Sequence, residues 1–150
     1  ELDSDLYLVL LGIDNHNVAP HIAEIYPRTR YFPSVPAPTH LEVTSRARIG
    51  VVYYDDLILN EAFCAPNKIY EYSAFGMPML ANKIPGLEGT VGAAGAAVCS
   101  DFTKDDLKRA ITEIEGDYER FSSASSRFFE ATDNVRTMER IVADLGIRRG

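Results

Sequence analysis

Arg48-Ile-Gly-Val-Val-Tyr-Tyr54 is an apolar stretch, and the chain that follows it reaches Cys64-Ala-Pro-Asn-Lys-Ile-Tyr-Glu-Tyr-Ser-Ala-Phe-Gly-Met-Pro-Met-Leu80. The first segment reads as a strand buried on both faces. The second reads as a helix, with Asn67 as N-cap, Ile69, Tyr72 and Ala74 as an apolar stripe, and Gly76 then Pro78 as the stop. Met79-Leu80-Ala81 resumes as a short strand. A strand, a helix and a second apolar strand in this order form a parallel crossover unit.

The same alternation extends both ways. Upstream, Leu6 to Leu11, closed by Gly12, predicts a buried strand, and Val18 to Ile25 predicts a helix ended by Pro27. Arg30-Tyr31-Phe32 predicts a short strand stopped by Pro33, and Ser34 to Pro38 a proline-stiffened loop. Thr39 to Ala47 reads as a helix with Leu41 and Ser45 inward and His40 exposed. Downstream, Gly86 to Gly95 reads as a Gly/Ala loop with one helical turn, and Ala96 to Cys99 as the last strand. Thr103-Lys-Asp-Asp106 is a capping box opening a helix with Leu107, Ala110, Ile111 and Ile114 on one face. Two further helices are expected over Tyr118 to Ala131 and Asn134 to Leu145, with Ser122, Ser123, Ser125 and Ser126 forming a polar face. The expected fold is α/β: a Rossmann-like parallel sheet with helices on both faces and C-terminal helices, in a single domain over 1–150.

Composition fits a folded domain. The 150 residues are 46% hydrophobic and 25% charged, and 15 Lys+Arg against 22 Asp+Glu leave a net charge of −7. An acidic chain without a basic block argues against nucleic acid, because clustered cations supply most of that attraction. The longest apolar run, Leu6 to Ile13, is short of the roughly 20 residues that span a bilayer. Two cysteines, Cys64 and Cys99, make no disulfide framework and read as small buried hydrophobes in a reduced, cytoplasmic setting.

In parallel α/β folds ligands bind outside the carboxyl ends of the strands. That singles out the loops Gly12 to Asn17, Phe32 to Pro38, Asp55 to Asn67 and Asn82 to Thr90. The loop Asp55 to Cys64, about ten residues long, exceeds ordinary connections and feeds a helix N-terminus, where free amides and the helix dipole favour an anion. Lys68 lies in the first turn of that helix, where the dipole disfavours a cation, and Glu71 shares its face three residues on. A carboxylate so placed can accept both hydroxyls of a ribose. The alternative from spacing alone is an exposed i,i+3 ion pair.

The run Ala65-Pro-Asn-Lys-x-x-Glu-Tyr-x-Ala-x-Gly-x-Pro-x-Leu80 resembles the signature of retaining glycosyltransferases with the GT-B fold, of the family 4 or group 1 type. The likeness extends over nearly the whole chain, as the C-terminal, donor-binding half of such an enzyme. It implies that Glu71 binds the donor ribose, and that Cys64, Ala65, Pro66, Asn67 and Lys68 meet the donor diphosphate and sugar. It implies that Phe32, Pro33, Ser34 and Val35 border the nucleotide base. Many relatives carry a second Glu eight positions before the ribose residue; Phe63 stands there, and Glu61 is the nearest acidic side chain. An Arg and a Lys that bind diphosphate in relatives precede the equivalent of Leu6, so the resemblance implies a domain truncated at its N-terminus.

The function so implied is transfer of a sugar from a nucleotide sugar, uridine diphosphate being the commonest carrier, to an unidentified acceptor. The isolated fragment would be inactive. The partners implied are the nucleotide sugar itself and an N-terminal acceptor domain of the same protein. No tightly bound cofactor and no metal are expected, and membrane association of the parent protein is not encoded here. Two rivals are a non-catalytic α/β binding module using the Asp55-Asp56 edge, and a GT-B nucleotide-sugar epimerase. His16 and His21 read as surface residues, Gly92 to Gly95 as a tight turn, and Tyr53 and Tyr54 as alternating between core and ligand edge.

Overall fold

The computed structural model describes residues 5–144. Five short strands and eight α-helices alternate along these residues. The strands are all parallel, as expected, but their hydrogen bonds form two sheets, one of two strands and one of three. The chain divides correspondingly into compact units, 1–47 and 48–150.

In the first unit β1 (Leu8–Leu11) pairs with β2 (Thr29–Phe32). Between them runs α1 (Val18–Ile25), and α2 (His40–Thr44) follows. β1 is not buried on both faces, since Val9 is 44% exposed, and Tyr31 and Phe32 of β2 are also exposed. A two-stranded sheet has few neighbours to cover it. In α2 the buried residue is Thr44; Ser45 is exposed, and Leu41 and His40 are half-buried. Thr44 donates its hydroxyl to the His40 carbonyl, so the helix turns this face inward without stranding a polar group.

The second unit centres on β4 (Met79–Asn82), which lies between β3 (Gly50–Val52) and β5 (Ala97–Ser100). Every residue of β4 is buried. Period-two alternation sends Met79 and Ala81 into one core with Ile69 of α4 (Asn67–Ala74). Leu80 goes into a second core with Ala110 and Ile114 of α6 (Lys104–Gly116) and Phe121 of α7 (Tyr118–Ala131). Helices therefore cover both faces of this sheet. Full burial of a side chain such as Ile69 or Ile114 contributes about 2 kcal/mol. β3 is an edge strand of this sheet, and its Val51 is 45% exposed rather than buried.

Several local signals hold. Thr103 caps α6 by accepting from the Asp106 amide at 3.2 Å. Gly76 follows α4 with φ 61, a left-handed stop that glycine takes without strain. Other segments differ from expectation. The loop 55–64 contains a short helix, α3 (Leu59–Ala62), and the segment 86–95 is largely helical, with α5 (Pro85–Leu87) running into a π-helical turn (Glu88–Gly92). The serine-rich stretch of α7 is not one polar face. Ser125 is fully buried and donates to the Met77 carbonyl at 2.8 Å, and Ala124 is buried beside it. Small side chains there let α7 approach α4 closely, so a side chain at Gly76 would meet the Ser126 hydroxyl at 2.8 Å. The last helix, α8 (Asn134–Asp144), starts as expected; Leu145 lies outside the described residues. No helix among the described residues is long and apolar enough to cross a membrane.

At the carboxyl ends of β3 and β4 the Asn82 carboxamide binds the backbone of Tyr54 twice. Its oxygen accepts from the Tyr54 amide at 3.0 Å and its nitrogen donates to the Tyr54 carbonyl at 2.7 Å. Replacing Asn82 with Ala orphans both Tyr54 groups, and a lowered urea midpoint corresponding to about 2 kcal/mol is expected. An unchanged midpoint would show that the clamp is not needed.

Candidate functional site

The N-termini of α1 and α4 differ in how their amides are served. At α1 the Asp14 carboxylate accepts from the Val18 amide at 2.8 Å and the Ala19 amide at 2.7 Å. These hydrogen bonds, that from Ala19 foremost, hold the Asp14 pKa below its ordinary value of 3.8. The protein's own anion closes this terminus. At α4 no side chain caps the first turn. Pro66 occupies the cap position with extended backbone, and Asn67 is the first helical residue, not the cap the sequence suggests. Proline supplies the extended entry but no side-chain acceptor, so the α4 amides have no side chain serving them.

Beside that open end, Lys68 Nζ meets Glu71 Oε2 at 2.7 Å, with side chains 44% and 25% exposed. The shared face inferred from spacing is real, and the two residues form the i,i+3 pair. The Tyr72 phenol, on the same helix, has its pKa raised by burial and by the nearby Glu71 charge. It stays protonated at neutral pH.

The loop before α4 is held in place from α5. A Cβ on Gly86 would lie 2.3 Å from the Cys64 carbonyl oxygen and 2.7 Å from the Phe63 carbonyl carbon. Only glycine admits this approach. Ile84 and Leu87, both buried, fix the start of α5, and the Thr90 hydroxyl donates to the Gly86 carbonyl at 2.6 Å. Cys64 and Cys99 are free thiols, each half-buried. Burial pushes the Cys99 thiol pKa up, with Glu88 adding to the effect, which keeps it unreactive. Glu61 sits half-buried on α3, and Phe63 is exposed. Nothing in the sequence marks Gly86 as a contact of Cys64; its partner is far along the chain.

The residues suggested for the base lie in the first unit. Phe32 ends β2, Pro33 and Ser34 are exposed, and Val35 is half-buried. Next to them the strand ends are tied at Gly12, whose amide donates to the Phe32 carbonyl at 3.1 Å and whose carbonyl accepts from the Tyr31 hydroxyl at 2.9 Å. A cavity of about 220 Å³ opens there, lined by Leu10, Gly12, Asp14, Val18 and Tyr31 among others. Phe32 to Val35 are not in its lining. No group of three or more His, Cys, Asp or Glu among the described residues is placed to hold a metal ion.

Parallel strands with intervening helices make a Rossmann-like α/β fold. A solved structure similar to this chain is the crystal structure of WaaG, a glycosyltransferase involved in lipopolysaccharide biosynthesis. It matches with a TM-score of 0.61 over 93% of this chain at 14% identity. The match spans 37% of that protein's chain. At this identity the likeness is one of fold. No protein-family model matches the chain. No curated protein sequence matches it either.

Two outcomes follow from this geometry. In an acid titration the Val18 and Ala19 amide resonances should move with a midpoint below 3.8, because the α1 cap is complete above that value. It is lost only as pH falls through the lower folded pKa, so a midpoint at or above 3.8 contradicts the cap. Gly86→Ala should shift the amide resonances of residues 63–68 and destabilise the chain by about 1–3 kcal/mol. Unmoved resonances would show that the α5 contact does not set the loop.

Proposed function

We propose that the chain is the donor-binding half of a GT-B glycosyltransferase of the family 4 type. In this reading it transfers a sugar from a nucleotide sugar, with a uridine diphosphate carrier favoured, to an acceptor held by another domain of the same protein. The observation that supports it best is the α4 N-terminus. No side chain caps it, it carries Lys68 and Glu71 in its first turns, and its loop is braced by Gly86.

The chemistry assigned to these residues is positioning and charge stabilisation. Glu71 accepts hydrogen bonds from the two ribose hydroxyls, which orients the nucleotide. The amides at the start of α4, reached through Cys64 to Asn67, donate to diphosphate oxygens, and the Lys68 ammonium adds positive charge beside them. Leaving-group charge develops on that diphosphate as the sugar bond breaks, so fixed donors aimed at it lower the barrier more than they tighten ground-state binding. Phe32 to Val35 offer apolar surface and backbone groups to the base. Glu61 is the candidate for the sugar contact that a second Glu makes in relatives. The setting is cytoplasmic in this reading, with no tightly bound cofactor.

Titration with uridine, guanosine and adenosine diphosphates tests the reading. Perturbed amides at residues 64–71 with one of the three are expected. Glu71→Ala, which removes a charged acceptor, should weaken that binding about tenfold without unfolding the chain. A folded Glu71→Ala that binds equally well removes the ribose assignment. No response to any of the three at millimolar ligand removes the donor-site reading.

A further inference from the structure

A second depression lies in the three-stranded unit, where the loops leaving β3, β4 and β5 meet. It encloses about 150 Å³. Its floor is Asn82 and Ser100, both buried, and both already engaged: Asn82 with the Tyr54 backbone, and Ser100 Oγ accepting from the Phe102 amide at 3.1 Å. Its rim carries Asp56, Lys83, Asp101 and the 62%-exposed ring of Tyr53. Lys83 and Asp101 pair at 2.7 Å across the β4 and β5 ends. The Tyr53 ring is held edge-on by Phe102, centroids 5.1 Å apart. Phe102 itself has φ 59, left-handed backbone that a phenylalanine rarely adopts.

The chemistry of this rim selects a ligand class. One ammonium and two carboxylates give a net charge of −1, which disfavours phosphates and nucleotides. Two carboxylates accept from hydroxyls, and the ammonium donates to ring or hydroxyl oxygens. An exposed, immobilised aromatic ring adds an apolar face against which C–H groups can lie. The volume is about half the lower end, roughly 300 Å³, of pockets that enclose drug-sized ligands. It suits one small ring, not a nucleotide. None of these residues belongs to the α4 terminus assigned above to the nucleotide.

We propose that the depression walled by Tyr53, Asp56, Lys83 and Asp101 is a binding site for a neutral pyranose ring, separate from the nucleotide site. Asp101 and Asp56 accept hydrogen bonds from sugar hydroxyls, Lys83 donates to sugar oxygens, and Tyr53 covers one face of the ring. The site stands on its own residues, so it survives or fails independently of the donor reading.

The test is saturation-transfer NMR of the 150-residue chain with a panel of uncharged methyl pyranosides, followed by amide mapping with whichever responds. Saturation transfer to at least one glycoside is expected, with amide shifts clustered at Tyr53, Lys83 and Asp101. Asp101→Asn and Tyr53→Ala, both at exposed positions, should each weaken binding about tenfold. Glu113→Gln, on the exposed side of α6, is the control and should leave binding as it was. No transfer to any glycoside at tens of millimolar overturns the proposal. So does transfer that neither rim substitution weakens in a chain whose spectrum remains folded, since that would place the glycoside elsewhere.

Discussion

The second unit depends on the clamp between Asn82 and the backbone of Tyr54. Three parallel strands of three or four residues make a small sheet, and the loops that leave its carboxyl ends carry the candidate chemistry. Where the β3–β4 ladder runs out, the carboxamide supplies one further donor and acceptor pair. It thereby fixes the departure point of the loop that leads to α4. Because Asn82 is buried, leaving either Tyr54 group unpaired would carry a desolvation penalty, so the loop has one favoured start.

From that start the chain reaches α4 under a second constraint, the backbone approach of Gly86 to Phe63 and Cys64. The two constraints act at opposite ends of the same loop. Between them lies α3, whose Ala62 is buried while Leu57, Leu59 and Phe63 remain exposed. The backbone leading to the α4 terminus is therefore fixed by anchors outside it.

The N-termini of α1 and α4 meet the same need in different ways. α1 follows the loop that leaves β1 and α4 follows α3, and both leave amides to be satisfied. α1 meets that need internally through both oxygens of Asp14. α4 begins with a proline that can provide no acceptor, and carries a lysine where the dipole disfavours one. The same contrast bears on the two depressions at the strand ends: the first is lined with apolar groups and a capping carboxylate, and the second has a polar rim with its floor groups already engaged.

Local sequence by itself determined the order of the five strands and of the longer helices, the Thr103 capping box, the Gly76 stop and the shared face of Lys68 and Glu71. Each of these rests on residues within one or two helical turns of each other, so spacing suffices to read it. Tertiary structure alone decided the rest. Asn82 reaches Tyr54, Gly86 admits Cys64, Ser125 is buried against Met77, and β3 lies at an edge that leaves Val51 exposed. The π-helical turn at Glu88–Gly92 was likewise hidden, because glycine and alanine composition suits a turn and helix equally until Leu87 and Val91 find a core. These features join positions far apart in the chain, and no local pattern records them. That no side chain caps α4 was also beyond the sequence, because Asn67 offers a suitable cap side chain and only the folded backbone places it one residue inside the helix.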